Sequence, residues 1–481
     1  MQSLVGRLVL AAAALVPGLA AAGNINYDAM VDTSFATTTS PPYWRRLYTT
    51  GTVDERAIAV ARMPDRSIVA LISVPGGAVG SKIGLQRYNA NGSPFSGVFG
   101  SAGKVVKDAY LITLTGMIAD SQGRIVVIGS TPGPGGKTDF GVVRFNGDGS
   151  DDTSFGGDGG VAVGMEPLPN AGDDYPVAII EQPTATGSRL VIAGNTSMTS
   201  GSSTLHRFGL IGLRQDGSID PDFGNYVDPD YAGRVNDRYV SGQDAYASSL
   251  VLMPNSSLLI AGATVQNSTD TDYGACYLSP NGAPFADFSS CIRVAIDEPG
   301  PGGSLYDSVT AMAVSRPDRI TLVGNSSGRI SATRLLLEGS HLGLDPTFLG
   351  SNITGREYLF VHPSTGTYAN DAALRSDGSL IIAGRYNDGS RSRAAVHRLR
   401  PNGSSDTMGY FSPTGFIVTE VPAFSTSGNS FFGEFNKVLI DSGKPLLLGT
   451  ASDSTTAATD LDGVLVRLYA DLIFADGLQP R

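Results

Sequence analysis

The chain has 481 residues and a formal net charge of −11, from 34 Lys and Arg against 45 Asp and Glu. A protein that binds a polyanion needs clustered Lys and Arg, so this balance argues against a nucleic-acid partner. Gly is abundant (61 residues), Pro occurs 27 times, and helical periodicity is hard to find, which excludes a mainly helical fold and favours short strands broken by turns.

The first residues predict a secretory signal peptide over 1–22. Arg7 precedes an apolar run at 8–19, and small residues lead to Ala22, the predicted cleavage site. The run is shorter than the roughly 20 residues that a membrane span requires, and no later segment is long and apolar enough. We therefore expect an exported chain without a membrane span, in the periplasm, on the cell surface or in the medium.

A short apolar strand that ends in Gly recurs along the chain. The copies end at Gly129, Gly194, Gly262, Gly324, Gly384 and Gly449, with spacings of 65, 68, 62, 60 and 65 residues. An earlier copy, "RSIVALI", has Ile72 where the Gly would stand. The sequence therefore contains seven units.

Each unit has the same internal order. A strand of small and apolar residues leads through a turn with Pro, Asp, Asn or Gly into the strand that ends in Gly. A third strand follows and closes with an Asn-Gly or Asp-Gly turn, before a less regular fourth strand. This order predicts an all-β fold over residues 23–470, a single seven-bladed β-propeller of four-stranded antiparallel blades.

The two ends of the chain share one unit. The last unit stops after its third strand, whereas "VDTSF" from Val31 matches "DDTSF" from Asp151. Residues 23–50 are therefore predicted to supply the closing strand of blade seven, with the strand itself in "PPYWRRLYTT" from Pro41. Pairing the two ends closes the ring and removes exposed sheet edges. Residues 471–481 are predicted to form a short C-terminal tail.

These motifs carry a family resemblance. The pattern "RFNGDGSDDTSFG" from Arg144, with the strand "IVVIG" before it, resembles the delta-60 repeat of exported bacterial proteins. The resemblance covers nearly all of the chain after the signal peptide. It implies a propeller-like all-β fold, and it implies no established activity and no catalytic residues.

Cys276 and Cys291 are the only cysteines and lie 15 positions apart. In an oxidising compartment a disulfide is the favoured interpretation, and closing a loop of this length is worth about 3 kcal/mol in the chain-entropy model. A Cys-ligated metal is not expected, because no second Cys or His lies close to either position.

Asp148, Asp151 and Asp152 lie among glycines in residues 143–160 and are the candidate metal ligands. Asn146, Asp148 and Ser150 alternate as oxygen ligands do in a calcium loop. Asp-Gly-Ser is equally the hairpin turn required at this position, where Asp and Gly tolerate left-handed backbone angles. The turn is the preferred interpretation, calcium is the minority hypothesis, and no other cofactor is predicted.

Equivalent positions on five third strands hold an Arg: Arg87, Arg144, Arg334, Arg398 and Arg467. A ring of Arg residues is one way to build an anion site, but third strands lie well away from the hub of a propeller. Pairing with acids of the same or a neighbouring blade is the preferred interpretation, with Asp152 as the partner of Arg144.

Four His residues are scattered over different units, with none at metal-ligand spacing: His206, His341, His362 and His397. A propeller brings distant loops to one face, but the sequence selects no site from these residues.

Two functions are left open by the sequence. The first is a non-catalytic, monomeric binding or structural scaffold at the cell envelope or outside the cell, which engages a protein or glycan on one face. The second is a hydrolase or lyase that acts on envelope or extracellular carbohydrate at the mouth of the channel. Trp44 is the only Trp, which argues against the repeated Trp motifs of several enzymatic propellers. No catalytic residue is predicted, and a cluster of carboxylate, His and Arg at the channel mouth would favour the second function.

Overall fold

The structure is a computed structural model, and the predicted signal peptide, its cleavage site Ala22 and the tail at 471–481 lie outside the residues that it describes. The described residues are 31–37, 44–47, 54–165, 172–200, 203–224, 232–236, 243–283, 285, 290–297, 305–348, 356–359, 366–387, 389–406, 416–419, 421, 430, 432–452 and 461–469.

These residues form 29 β-strands and a short 3₁₀ turn at Pro134–Gly136. The strands up to residue 236 are β1 Trp44–Leu47, β2 Arg56–Arg62, β3 Ile68–Pro75, β4 Ser81–Tyr88, β5 Lys104–Leu111, β6 Thr113–Ala119, β7 Ile125–Pro132, β8 Thr138–Phe145, β9 Gly160–Val163, β10 Asp174–Thr184, β11 Gly187–Ser200, β12 Ser203–Leu213 and β13 Arg234–Asn236. The later strands are β14 Ala245–Leu252, β15 Leu258–Asn267, β16 Asp270–Leu278, β17 Cys291–Val294, β18 Leu305–Arg316, β19 Arg319–Ser326, β20 Arg329–Glu338, β21 His341–Leu344, β22 Arg356–Leu359, β23 Thr367–Leu374, β24 Leu380–Asn387, β25 Ser392–Leu399, β26 Phe416–Thr419, β27 Gly433–Asp441, β28 Lys444–Ser452 and β29 Leu461–Arg467.

The described strands assemble into six sheets. Five sheets have four strands each: β2 to β5, β6 to β9, β10 to β13, β23 to β26, and β27 to β29 with β1 as the fourth strand. Neighbouring strands within these sheets pair antiparallel. The sixth sheet has nine strands, β14 to β22. The prediction of an all-β fold is confirmed, and the arrangement of four-stranded antiparallel sheets fits a β-propeller.

The nine-stranded sheet joins two of the predicted units. β14 to β17 and β18 to β22 each follow the strand order of a unit, but β16 and β18 also pair in parallel, through Asp270 with Leu305 and Thr271 with Tyr306. In addition, β20 pairs with two short strands, β21 and β22, at different points along its length. A join of two residue pairs leaves no periodic signal, which is why the sequence did not predict it.

Every first strand carries a β-bulge at the same position. The shifts in register lie between Ala57 and Ala59, Leu114 and Gly116, Pro176 and Ala178, Ala247 and Ser249, Val309 and Ala311, Ala369 and Asp371, and Phe435 and Lys437. At the bulge a first-strand carbonyl approaches the second strand, so that a Cβ added to Gly262 would lie 1.9 Å from the carbonyl oxygen of Tyr246. The bulge therefore favours Gly at the facing position of six units, whereas Ile72 occupies that position opposite the bulge of β2.

The first strands contact one another in chain order. β2 contacts β6, and the contacts continue through β10, β14, β18, β23 and β27, which itself contacts β2. The sheet that contains β27 also holds both ends of the described chain, because β1 pairs antiparallel with β29 through Trp44 with Val466 and Leu47 with Gly463.

The hydrophobic core lies between neighbouring groups of strands. The buried residues that the structure describes form seven clusters, each shared by two successive groups. One cluster joins the last group to the first, since Leu446 and Leu448 of β28 lie in the same cluster as Ile68 and Ile72 of β3. Full burial of a Leu or Ile side chain is worth roughly 1.5–3 kcal/mol, so the packing of one sheet against the next dominates the stability of this fold.

The predicted disulfide is confirmed. Cys276 on β16 and Cys291 on β17 face each other in the antiparallel register and are bonded, with their Cα atoms 4.1 Å apart. The bond ties the short outer strand β17 to its neighbour. Within the described part of the chain, no helix has the length and apolar character needed to cross a membrane.

Candidate functional site

The antiparallel order of the strands gives the molecule two different faces. At one end of the sheets, the first strand turns tightly into the second and the third strand closes with an Asn-Gly or Asp-Gly turn; we call this end the turn face. At the other end, the second strand passes into the third and the chain crosses from one sheet to the next; we call this end the loop face.

Arg144 is the centre of a repeated contact near the turn face. Its Nε donates a hydrogen bond to Asp152 Oδ2 at 2.7 Å, and its guanidinium lies 4.5 Å from the centre of the Phe155 ring. Asp152 also accepts hydrogen bonds from the backbone N–H and the hydroxyl of Ser154. The predicted pairing of Arg144 with Asp152 is confirmed, and we call this Arg, Asp and Phe arrangement the staple.

The staple recurs in three other sheets, with ion-pair distances of 2.6 to 2.9 Å: Arg334 with Asp345 and Phe348, Arg467 with Asp32 and Phe35, and Arg189 with Asp220 and Phe223. Arg189 lies on a second strand, because Gly212 occupies the corresponding third-strand position of its sheet. Arg87 and Arg398 also pair with acids, Asp65 and Asp406 respectively. All five Arg residues predicted at equivalent positions are thus paired.

The Phe of each staple reaches the next sheet. The Phe155 ring would lie 3.2 Å from a Cβ added to Gly217 of the next sheet. Gly156, which follows Phe155 in the chain, donates its backbone N–H to the carbonyl oxygen of Asp216. The same contact joins the chain ends, because the Phe35 ring would lie 2.6 Å from a Cβ on Gly92. The motifs "DTSF" and "DGS" are therefore two halves of one contact between sheets.

The three candidate metal ligands of the acidic loop each have a separate partner. Asp148 Oδ1 accepts hydrogen bonds from the N–H and the hydroxyl of Ser150, which lower the pKa of this exposed carboxyl. Asp151 forms an ion pair with Lys107 at 2.6 Å. Asp152 belongs to the staple; burial raises its pKa, but hydrogen bonds from Ser154 and the pairing with Arg144 lower it below its usual value. Calcium binding by this loop stays a prediction.

The described His residues lie in different sheets, and His362 lies outside the described residues. His397 on β25 is buried, with Nε2 3.3 Å from Ser405 Oγ, and burial lowers its pKa to about 3. His341 begins the outer strand β21. His206 lies on the loop face, where it takes part in a group of side chains described below.

A cavity of about 270 Å³ lies among the first strands. Its lining is mostly small or apolar, with residues from all seven first strands, and its ionisable members are Asp371 and Lys437. Asp371 Oδ1 lies 3.9 Å from Lys437 Nζ, and Asp371 Oδ2 accepts the N–H of Val438 at 2.9 Å. Burial raises the pKa of Asp371, although Lys437 acts in the opposite direction. The pair balances its own charge inside the hub.

Three tyrosines lie toward the loop-face ends of first strands. Tyr175, Tyr246 and Tyr368 each stand immediately before the first-strand bulge, so they occupy one register position on three sheets. Tyr175 and Tyr246 are exposed, at 45% and 37% of their surface, and Tyr368 is half-buried beneath Arg385 with a guanidinium-to-ring distance of 4.7 Å. We call these three residues the tyrosine rim. The rim was not predicted from the sequence, because its shared position depends on the strand register.

His206, Asp244 and Tyr246 meet on the same face. The ring nitrogen Nδ1 of His206 lies 3.1 Å from the Tyr246 hydroxyl and 3.5 Å from Asp244 Oδ2. The backbone N–H of His206 donates a hydrogen bond to Asp244 Oδ1 at 2.8 Å. Burial and the Asp244 charge raise the pKa of Tyr246, so its hydroxyl stays protonated. The group can orient an imidazole for proton transfer.

An acidic cluster occupies the join of the nine-stranded sheet, also on the loop face. Asp270, Asp272 and Asp297 each contribute one carboxylate oxygen, and these three oxygens lie within 4.8 Å of one another. Among the described residues, no other group of three or more His, Cys, Asp or Glu residues is close enough to hold a metal ion. Asp270 and Asp272 begin β16, whereas Asp297 comes from the connection after β17. The sequence analysis missed this cluster, because Asp297 lies 25 positions from Asp272 and no spacing pattern links them.

The fold and its repeated contacts define a β-propeller protein, and comparison with known families agrees. The chain matches a family described as "Domain of unknown function (DUF5122) beta-propeller" over residues 121–155 and 375–407. The first matched segment ends at Phe155 and so contains the complete staple of Arg144. The family description assigns no activity.

Several solved structures are similar to the chain at low identity. The polysaccharide lyase Uly1 is 14% identical with a TM-score of 0.46, over 92% of this chain and 98% of the lyase. A glucose dehydrogenase is 14% identical with a TM-score of 0.38, over 71% and 96%. Sqt1 of Chaetomium thermophilum, bound to the N-terminus of ribosomal protein L10, is 11% identical with a TM-score of 0.40, over 87% and 97%. Identities and TM-scores this low transfer no activity or partner. No curated protein sequence is significantly similar to the chain.

Proposed function

We propose that the protein is an exported β-propeller that acts as a non-catalytic binding scaffold, with a protein or glycan partner docked on the loop face. The observation that carries the proposal is the tyrosine rim, which repeats one side chain at one register position on three sheets. Tyr offers a large, rigid contact area and a hydroxyl for hydrogen bonding at low entropic cost, which suits recognition of either partner.

Binding by the rim is tested with immobilised protein lacking residues 1–22, exposed to bacterial envelope extracts and to a glycan array. Tyr175→Ala and Tyr368→Ala should each weaken capture of the bound partner at least about 10-fold, since central aromatic residues carry a large share of binding energy. The matched control is Tyr110→Ala, which removes a 64% exposed Tyr that lies outside the rim. Equal capture by the rim variants and wild type would contradict the proposal.

We further propose that the ring has seven blades, belongs to the delta-60 type and is closed by β1 within a domain at 23–470. Support comes from the contact of β27 with β2, from the pairing of β1 with β29, and from the staple that Asp32 and Phe35 complete with Arg467. Deleting residues 23–50 should lower the melting temperature substantially, whereas deleting 471–481 should leave it nearly unchanged. If both deletions melt like the full chain, the closure is wrong.

Export is supported by the disulfide, which persists in oxidising compartments, and by the candidate signal peptide, and we propose that the exported protein is a monomer. Intact-mass analysis of the protein recovered from the expressing bacterium should show a chain that begins at Gly23 with no alkylatable thiol. Light scattering should give the mass of one chain. A full-length mass or a dimer would contradict these parts of the proposal.

A second candidate function is a hydrolase or lyase that acts on carbohydrate, and the group of His206, Asp244 and Tyr246 is the observation that favours it. Such an enzyme should release reducing ends or unsaturated sugars from envelope polysaccharides, and His206→Ala should abolish release. Binding that depends on Tyr175 without any release would support the scaffold and reject catalysis.

A further inference from the structure

The acidic cluster lies where two groups of strands meet, β14 to β17 and β18 to β22. Among the described strands, antiparallel pairing occurs within each group, and only the parallel pairing of β16 with β18 connects the two groups. On β16, Asp270 belongs to one of the two residue pairs through which β16 meets β18, and Asp272 directly follows the other. Asp297 lies on the connection that leads to β18. A ligand held by these three residues would therefore bridge the two groups.

Asp272 is buried with an unsatisfied oxygen at the centre of the cluster. Only 2% of its surface is exposed, and its Oδ1 has no hydrogen-bond partner among the described residues. The nearest cation is Arg293, whose Nη1 lies 3.3 Å from the other oxygen, Oδ2, and whose side chain is 51% exposed. Asp270 Oδ1 is likewise buried and has no partner in the described part of the chain. Buried carboxylate oxygens without partners are costly, and the clustering of Asp270, Asp272 and Asp297 adds to this cost, so the arrangement favours a bound cation.

A fourth carboxylate positions the loop that supplies Asp297. Asp307 on β18 is fully buried, and its Oδ2 accepts the N–H groups of Ile296 and Asp297 at 2.8 and 3.1 Å. These bonds fix the backbone immediately before the Asp297 side chain. Asp307 thus acts as a positioning residue, and it adds a further negative charge close to the cluster.

Charge in the cluster is out of balance. Burial and, to a smaller extent, the charges of Asp270, Asp297 and Asp307 together raise the pKa of Asp272 to about 6, against the opposing effect of Arg293. A divalent cation would offset the excess negative charge. This balance supports the inference, which itself stands on the geometry.

Two other sheets place an acid at the register position of Asp272, and each has an Arg nearby as Asp272 does, but neither acid belongs to a group of three carboxylates among the described residues. Asp462 corresponds to Asp272, two residues before the position opposite the bulge Gly, and it forms an ion pair with Arg46. Asp139 is the other equivalent, and burial raises its pKa against the opposing effect of Arg234. Three carboxylates within 4.8 Å occur only at the join of β16 and β18 among the described residues.

We propose that Asp270, Asp272 and Asp297 bind one Ca²⁺ that bridges the two groups of strands on the loop face. The donors are carboxylate oxygens only, which suit a hard cation. Two oxygens bound to one Ca²⁺ at about 2.3–2.6 Å each can lie at most roughly 5 Å apart, and the cluster meets this condition. Asp297 is exposed, so the ion can enter from solvent.

Calcium titration tests the proposal. Protein lacking residues 1–22 is stripped with EDTA and titrated with CaCl2 or MgCl2 by calorimetry, and parallel samples are melted. We expect one Ca²⁺ per chain with a Kd of about 1 mM or tighter, as in extracellular calcium modules. Saturating CaCl2 should raise the melting temperature by at least about 2 °C, because binding to the folded state alone stabilises it.

Two variants separate a site from a general salt effect. Asp272→Asn should weaken Ca²⁺ binding at least about 10-fold, since even the outer partners of metal ligands cost that much. In EDTA it should melt no lower than wild type, because it removes one of several clustered negative charges. The control Asp139→Asn changes the equivalent residue at another boundary and should keep the full response.

Three results would overturn the assignment. The first is no heat and no shift in melting temperature with CaCl2 up to about 10 mM, well above the weakest calcium modules. The second is a full calcium response by Asp272→Asn. The third is binding of Mg²⁺ as tight as that of Ca²⁺, which would exclude calcium as the specific ligand.

Discussion

The turn face and the loop face use charge in different ways. On the turn face, each recurrent Arg pairs with an Asp and, in four sheets, stacks on a Phe that reaches the next sheet. On the loop face, Asp270, Asp272 and Asp297 cluster together with one half-exposed Arg293 paired to Asp272, and two tyrosines of the rim are exposed. The charges that recur from unit to unit on the turn face thus hold neighbouring sheets together. Departures from the repeat mark the residues available for ligands.

The largest expected effect comes from breaking a staple on the turn face. Arg144→Met removes one partner of a buried ion pair and leaves Asp152 buried, with the two side chains 1% and 9% exposed. Loss of one member of such a pair costs about 3–5 kcal/mol. The measurement is the free energy of unfolding from a denaturant titration.

Lys107→Met in the neighbouring sheet is the matched control. It breaks the exposed pair of Lys107 with Asp151, whose side chains are 26% and 44% exposed, and should cost less than about 1 kcal/mol. Equal losses in the two variants would show that the staple is an ordinary surface ion pair, and the contrast between the faces would disappear.

The next largest loss of stability is expected from a substitution opposite a first-strand bulge, in the middle of the sheets. Gly262→Ala places a Cβ 1.9 Å from the Tyr246 carbonyl oxygen, a backbone atom that can move only with its strand. Overpacking of this kind costs about 1–3 kcal/mol and sometimes more. Gly343→Ala has no atom within 4 Å of its new Cβ and should change stability by less than about 0.5 kcal/mol. Matching melting temperatures would show that the bulge does not favour the recurrent Gly.

The folding stability should depend on pH through His397, which is buried on β25. Because burial lowers the pKa of folded His397 to about 3, the unfolded chain binds a proton below about pH 6.5 and the folded chain does not. Stability should therefore fall as the pH drops through this window, by about 1–2 kcal/mol at pH 5.

The pKa of Asp272, raised to about 6, acts in the opposite direction below that pH. The informative quantity is accordingly the difference in unfolding free energy between wild type and His397→Gln, followed from pH 7.5 to 5. A difference that stays constant with pH would show that His397 is accessible to protons in the folded protein.

Much of the fold could be predicted from the sequence because its contacts repeat. The strand that ends in Gly recurs because each first strand has the same bulge, and "DTSF" recurs because Arg, Asp and Phe form one staple. The same logic linked Val31 to the C-terminal unit, and Arg467 does pair with Asp32. The parallel join of β16 and β18 escaped prediction, since two residue pairs carry no period.

The candidate sites could not be predicted, for the opposite reason. Asp272 lies on β16 and Asp297 follows β17, and the fold brings the two residues together. Their spacing in the sequence does not predict this proximity. The acidic loop is a candidate metal site because its Asp residues lie close together in the sequence. Adjacent residues on a tight turn point their side chains in different directions, and Asp148, Asp151 and Asp152 have three different partners.

The smallest expected effect sharpens the contrast between the two groups of acids. Asp148→Asn keeps a side-chain oxygen for the turn with Ser150, so this exposed substitution should change stability by less than about 0.5 kcal/mol. Its melting temperature should also rise with CaCl2 and fall with EDTA as that of wild type does, because the proposed calcium ligands lie on the loop face. If Asp148→Asn loses this response while Asp272→Asn keeps it, calcium binds on the turn face, and the repeated loop rather than the departure from the repeat is the metal site.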